Sequence, residues 1–225
     1  MMADRSHGPL PMLLVCLTVV TGLVDAFSYL TLGHVFVANM TGNVVFLGFA
    51  LAGVGEISIV ASLLAVLAFV LGAAVGGRWA AGRALHRGHL LAASTSVQAC
   101  LVLIASVITS TAGVQGSAAR LTLIGLLALA MGGQNAVVRR LAVPDLTTTV
   151  LTLTVTGLAA DTTSPSVRGR RLISVLAMLA GALAGGVLLH WVTLAAPLWL
   201  AAVLLVACAT SAYLAARRPQ SQDWR

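Results

Sequence analysis

The stretch HVFVANMTGNVVFLG (His34–Gly48) sets two amides, a hydroxyl and a glycine between two apolar runs. A helix facing lipid has no partner for Asn39, Thr41 and Asn43. A surface loop would not continue straight into VVFLGFALAG (Val44–Gly53). Irregular backbone at membrane depth is tolerated only where protein or a water-filled cavity covers it. The stretch therefore reads as the start of a short segment that enters a membrane without crossing it, and the rest of the chain is read outward from that point.

The composition supplies the membrane. Of 225 residues, 59% are hydrophobic and 8% charged, and the mean hydropathy is +1.01. Such a chain is an integral membrane protein. Its cations are all arginine, and the formal charge of +7 reads as topology signalling, not as a nucleic-acid surface. Cys16, Cys100 and Cys208 lie singly in apolar runs, so no disulfide framework or metal site is expected. Arg5, the run Leu10–Val24 and the tripeptide VDA imitate a cleaved leader. The apolar run continues as FSYLTL, and the reading here is a retained first span.

Eight apolar runs follow from the breaks at charge, Pro and Gly: 11–32, 37–53, 57–77, 89–110, 119–138, 146–160, 172–192 and 194–216. Six approach the ~20 residues that a helix needs to cross ~30 Å. The second and sixth reach only about 22–26 Å as helices, and both begin with polar residues, ANMTGN and PDLTTT. Laying Asn39 on Asp145 places Thr41 on Thr147, and LGAAVGG (Leu71–Gly77) then lies near AGALAGG (Ala180–Gly186). In that register Gln134 and Asn135 fall on Ser28 and Tyr29. These matches point to an internal repeat, with halves at 11–110 and 119–216.

Arginine clusters decide which runs cross. They stand at Arg78, Arg83 and Arg87, at Arg139–Arg140, at Arg168, Arg170 and Arg171, and at Arg217–Arg218. If both short runs re-enter, every cluster and Arg5 share one side, and Arg120 alone lies opposite. The expected fold is all-α and polytopic: six full spans, two short re-entrant or tilted segments, and pseudo-symmetric halves related by inversion. A seven-span layout is the alternative. The tails 1–10 and 217–225 would be cytoplasmic and the body 11–216 a single transmembrane domain.

Within this frame Asp25 is the carboxylate deepest in an apolar run, and it must face a cavity or partner or stay protonated. Ser28 and Tyr29 share its helical face, with Thr21 and Thr18 on the same side. Asn39 or Thr41 would cap a short helix, with Gly42 allowing a tight backbone, and the helix N-terminus would offer N–H donors to an anion or polar solute. Gln134 and Asn135 add a second polar pair near Arg139–Arg140, which are topology anchors. His34 reads as an interfacial residue.

The candidate binding set is therefore Asp25, Ser28, Tyr29, Asn39, Thr41, Asn43, Gln134, Asn135 and Thr147. The function it implies is a small transporter or channel for a polar or ionic solute. The alternative is a scaffold or accessory subunit in which the same groups hold helices together. No nucleophile–base set, metal cluster or cofactor motif is present in the sequence, so an enzyme is not expected. Expected partners are membrane lipid, a small solute or ion, and a second copy in a homodimer.

TGLVDAFSYLTLGHVFVANMTGNVVFLG and MGGQNAVVRR resemble the YoaK-type proteins of the bacterial inner membrane, a family of unknown function. The resemblance covers the chain from about Val15 to the last apolar run. It implies a small multi-pass protein of the bacterial cytoplasmic membrane and no substrate.

Overall fold

The computed structural model describes residues 9–55, 57–82, 86–141, 151–161 and 164–218. Among these, every regular element is helical: α1 (Leu10–Thr31), α2 (Met40–Leu51), α3 (Ile59–Ala81), α4 (Arg87–Ala112), α5 (Ser117–Leu141), α6 (Leu151–Ala160), α7 (Pro165–Trp191) and α8 (Ala196–Ala216). Six are long and apolar enough to span a bilayer, and α2 and α6 are short. At 12 and 10 residues they extend only about 18 and 15 Å. The chain is a multispanning membrane protein.

Local chemistry sets the helix ends. Ser58 caps α3 by accepting from the Ala61 N–H at 3.2 Å. Proline occupies the first turn of α1, α7 and α8, where its missing N–H costs nothing. Helix α7 starts earlier than the apolar run at 172 because its first turns carry Arg168, Arg170 and Arg171 into the interface. Helix α2 starts later than Val37 because Val37 and Ala38 are spent on a tertiary contact.

Glycines and short bonds fix the helix directions. Gly72 lies against Leu129 and Gly76 against Gly133, so α3 and α5 run parallel. Gly181 meets Val19 and Gly185 meets Leu23 and Ala26, so α7 and α1 are parallel too. Helices α4 and α8 are antiparallel, since Gly88 packs on Ala212 and Ala216 while Trp199 Nε1 donates to Ser110 Oγ at 3.1 Å. The Cys16 and Cys208 thiols, pointing toward the Leu204 and Leu13 carbonyls, make α1 and α8 antiparallel. The turn Gly113–Gly116 folds α4 back onto α5.

Followed through the bundle, these contacts bring Arg78, Arg87, Arg139, Arg140, Arg168, Arg170, Arg171, Arg217 and Arg218 to one end. Arg120 stands at the other, beside Gly33. The same directions answer the topology question. α1 ends and α3 begins at the end opposite the arginines, so α2 returns to the face it came from. α5 ends and α7 begins at the arginine end, so α6 does likewise. Six helices are thus long and apolar enough to cross, and α2 and α6 each lie between spans whose adjoining ends share one face. The sets α1–α4 and α5–α8 start at opposite ends. Arg83 and Arg5 lie outside the described residues.

The core centres on α1 and α5, with Leu14, Leu17, Leu23, Phe27, Leu123, Leu127 and Met131 fully buried between them, α4 and α8. Helices α3 and α7 lean on the outside, each against a glycine-faced partner. Their outward residues, among them Leu67, Leu71, Leu179 and Leu183, are exposed, as lipid-facing residues of a membrane bundle must be.

Candidate functional site

The polar interior is built from the end of α1. Gly33 (φ 92°) and His34 (φ 59°) take left-handed conformations there, and the His34 N–H closes on the Tyr29 carbonyl at 3.2 Å. This turn redirects the chain back down along α1. Within four residues it reaches Asp25, whose Oδ1 accepts from the backbone N–H of Val37 at 3.0 Å and of Ala38 at 2.9 Å. The Asn39 N–H faces the same carboxylate. Asp25 is 4% exposed, and its Oδ2 has no hydrogen-bond partner among the described residues.

Asn43, one turn into α2 and fully buried, grips the same loop from the other side. Its Oδ1 accepts from the Phe36 N–H at 2.9 Å and its Nδ2 donates to the Phe36 carbonyl at 2.6 Å. Tyr29 stacks on Phe36 with ring centroids 4.8 Å apart, and Phe46 adjoins both. Since α2 starts beside Asp25 and passes Tyr29 a turn later, it runs in the same sense as α1. The backbone donors and acceptors exposed by re-entry are therefore met by one carboxylate and one carboxamide. Within the opening stretch it is Asn43 that serves that need.

Two expectations need revision here. Asn39 does occupy the N-cap of α2, but its side chain makes no capping bond. Asp25, from another helix, instead binds the residues just before α2, accepting from Val37 and Ala38. Gly42 is not needed for a tight turn, because it sits within the helix. A Cβ there would meet the Phe36 ring at 2.8 Å, so glycine is required for that ring to lie across α2.

The remaining predicted residues divide. Ser28 is buried and donates to the Asp25 backbone carbonyl at 3.2 Å. Thr41 is exposed, as is His34. Asn135 donates back to the Met131 carbonyl at 2.8 Å and holds a further interaction. Thr147, with Pro144 and Asp145, lies outside the described residues. At the far end of α6, Arg171 pairs with Asp161 at 2.7 Å and Arg168 donates to the Asp161 carbonyl, tying the end of α6 to α7 at the arginine end.

Gln134 belongs to a second construction that the sequence did not disclose. Thr21, one turn before Asp25, donates to the Leu17 carbonyl at 2.9 Å. Its oxygen then accepts from Gln134 Nε2 at 3.2 Å, and Gln134 Oε1 accepts from Gln98 Nε2. All three residues are buried. Gln98 is the residue missed: a lone glutamine in STSVQAC (Ser94–Cys100) has no local feature that sets it apart from a surface residue of α4. A polar line thus crosses α4, α5 and α1 one turn from Asp25. Among the described residues no group of three or more His, Cys, Asp or Glu stands together.

Comparison with known proteins agrees with the resemblance carried by the VDA and ANMTGN motifs. A family model described as a protein of unknown function, DUF1275, matches residues 13–211. The UPF0700 transmembrane protein YoaK of Bacillus subtilis (strain 168) is 34% identical over 148 residues, which is 66% of this chain and 64% of that protein. The similarity therefore spans just under two thirds of that relative's length. No solved structure matches the chain.

Proposed function

The chain belongs to the DUF1275 family of proteins of unknown function, and from that premise we propose that it is a small transporter or channel for a polar solute, with α2 as its moving part. One observation carries the reading. The carboxylate that holds the start of a half-span helix keeps one oxygen unpaired at membrane depth. A solute or ion that engages Asp25 competes with the Val37 and Ala38 amides and so loosens the loop. A ligand shifts a conformational equilibrium only through such a difference in affinity between states.

Because Asp25 keeps one carboxyl oxygen without a donor, the solute class is a cation or a neutral hydrogen-bond donor. Asp25 is the coordinating group. Ser28, Tyr29, Asn39, Thr41 and Asn43 shape its surroundings, and Gln134, Asn135 and Thr147 serve the equivalent place in the second half. Helix α2 buries only Asn43 among its twelve residues and packs mainly on α3, so its displacement sacrifices little packing. The glycine-faced pairs α1/α7 and α3/α5 offer smooth surfaces along which half-bundles can rock.

The proposal includes an internal inverted repeat. Packing favours a register with Gly22 opposite Gly132 and Asp25 opposite Asn135, since both glycines receive the glycine motif of the other half. It also includes placement in the bacterial inner membrane with the arginine end and both termini cytoplasmic, assembly as a homodimer, and no enzymatic activity. A scaffold or accessory role is the second reading. It is favoured by the complete use of Asn43 in bonding its own loop.

Single cysteines at Asn39 and Thr41, in a protein lacking Cys16, Cys100 and Cys208, separate the two. An impermeant thiol reagent is applied from each side, with and without Asp25→Asn. Transport requires that Asn39→Cys label slowly and that Asp25→Asn speed the labelling. It also requires that cations or neutral polar solutes added singly alter the rate for at least one member. Rates indifferent to both Asp25 and every solute would leave the scaffold reading standing.

A further inference from the structure

Rings and charge meet where α4 and α8 join at the arginine end. Helix α4 starts there and α8 ends there, with Gly88 packed on Ala212 and Ala216. The His86 and His89 rings meet edge to face with centroids 5.9 Å apart, and His89 meets Tyr213 in the same way at 5.8 Å. The Arg217 guanidinium carbon lies 4.4 Å from the centroid of the Tyr213 ring. A guanidinium whose face rests on a ring keeps its N–H groups at its edge, where they can donate. The acids among the described residues, Asp25 and Asp161, are engaged elsewhere, by the loop before α2 and by Arg171.

From that row of rings a groove of about 730 Å³ runs inward between α4 and α8, within the ~300–1,000 Å³ of small-molecule sites. His89 and Tyr213 line it at the arginine end, and Cys100, Leu103 and Val206 line it deeper in the bundle. Through its stacking on Tyr213, Arg217 stands at the mouth. From His89 to Leu103 the helix rises about 21 Å, enough to lead from the interface to about the middle of a ~30 Å hydrocarbon core. Cys100 and Val206 are exposed on the outer surface, so the groove opens sideways into lipid. The hydroxyls on its walls, Ser96 and Thr210, donate to the Ala92 and Val206 carbonyls of their own helices, each at 2.9 Å. Beyond His89 the walls carry no charged side chain.

We propose that this groove binds an anionic phospholipid of the leaflet at the arginine end, with one acyl chain along α4 and α8 and the phosphate at the mouth against Arg217 and His89. The length of the groove suits a chain of a single leaflet. Its uncharged inner walls take that chain and leave the head group at the mouth. There Arg217 has no acid beside it among the described residues, which selects a lipid of net negative charge. A zwitterionic lipid would bring its own cation against the arginine. The site is independent of the Asp25 latch.

The test uses the full chain in mixed lipid–detergent micelles, with a phosphatidylglycerol bearing a mid-chain diazirine as photoprobe. Adducts are expected on Cys100, Leu103 or Val206. Unlabelled phosphatidylglycerol should displace the probe about fivefold more effectively than phosphatidylcholine of the same chains, the ratio that ~1 kcal/mol per arginine beside an anionic lipid implies. Arg217→Gln should bring that ratio close to one. Arg78→Gln should leave it unchanged, since Arg78 is exposed at the same end on α3, which packs on α5 and α2. Equal displacement by the two lipids of the native protein, or a preference that survives Arg217→Gln, would overturn the assignment. So would an equal loss in Arg78→Gln, which would mean general surface potential, or adducts spread evenly over the lipid faces of α3 and α7. A Cys100–Cys100 disulfide forming between most chains in the native membrane, in a protein lacking Cys16 and Cys208, would place a second copy over the groove and overturn it as well.

Discussion

Asp25→Asn tests the latch without emptying its volume. The carboxamide keeps an oxygen where Oδ1 accepts from Val37 and Ala38. What changes, for the ionised carboxylate, is the charge. A hydrogen bond to an ionised group contributes ~1.5–3 kcal/mol, a neutral one ~0.5–1.5. Two such bonds therefore weaken by roughly 2 kcal/mol together, before counting the cost of burying an amide N–H where Oδ2 now stands unpaired. At ~1.4 kcal/mol per tenfold, the loop should open about 30 times more often.

Hydrogen exchange reads that equilibrium directly, because Val37 and Ala38 are buried in the closed state and their amides exchange only on opening. Peptides covering 35–40 in the Asp25→Asn protein should lose about 30-fold in protection. Peptides from the middle of α5, with Leu123 and Leu127 in the core, should not change. Exchange at 35–40 that stays within threefold of the native protein would refute the latch. A rise shared equally by α5 would refute it differently, by showing that Asp25 supports the whole bundle.

Three further outcomes follow from the packing. Gly72→Ala places a methyl against the Leu129 backbone and should destabilise by about 1–3 kcal/mol in thermal unfolding in detergent, whereas Gly186→Ala meets open space and should be neutral or slightly stabilising. The Cys16 and Cys208 thiols point across the α1–α8 contact at the Leu204 and Leu13 carbonyls, so mild oxidation should link the two helices within one chain, seen as a mobility shift after cleavage between α1 and α8; failure in a Cys100→Ala protein would mean the α1–α8 register is wrong. Breaking the half-exposed Arg171–Asp161 pair with Asp161→Asn should cost less than about 1 kcal/mol, and a loss above 2 kcal/mol would show that α6 depends on it.

The architecture was legible wherever physics is local. Apolar length gave the six spans, shortness and polar starts marked α2 and α6, and the arginines gave the side of each turn. What stayed hidden depends on partners remote in sequence. The role of Gly22 is invisible because the motif it receives, Gly181 and Gly185, lies on α7. Gln98 gains meaning only when Gln134 and Thr21 arrive from two other helices. Helical period told which face Asp25 shares with Ser28, but not that the chain would turn at Gly33–His34 and bring Val37 back to it.

That turn changes the electrostatic logic of the site. A re-entrant helix that leaves its N-terminus bare is an anion receptor, through its free N–H groups and its dipole. Here the preceding helix sets a carboxyl beside the loop that leads into α2, and holds that loop with one oxygen. The N–H groups of Phe36, Val37 and Ala38 are consumed, while Asp25 Oδ2 stays buried without a hydrogen-bond partner among the described residues. A bundle so arranged is selective by what it lacks. At Asp25 it lacks a donor for one carboxyl oxygen, which favours a cation or a hydroxyl over a phosphate or carboxylate. Asp25 differs from Gln98 in one respect that sets their roles apart: its occupied oxygen holds a segment that can move, whereas the amide of Gln98 anchors a line between fixed spans. A ligand at Asp25 can therefore alter conformation, whereas the Gln98 line joins three spans to one another.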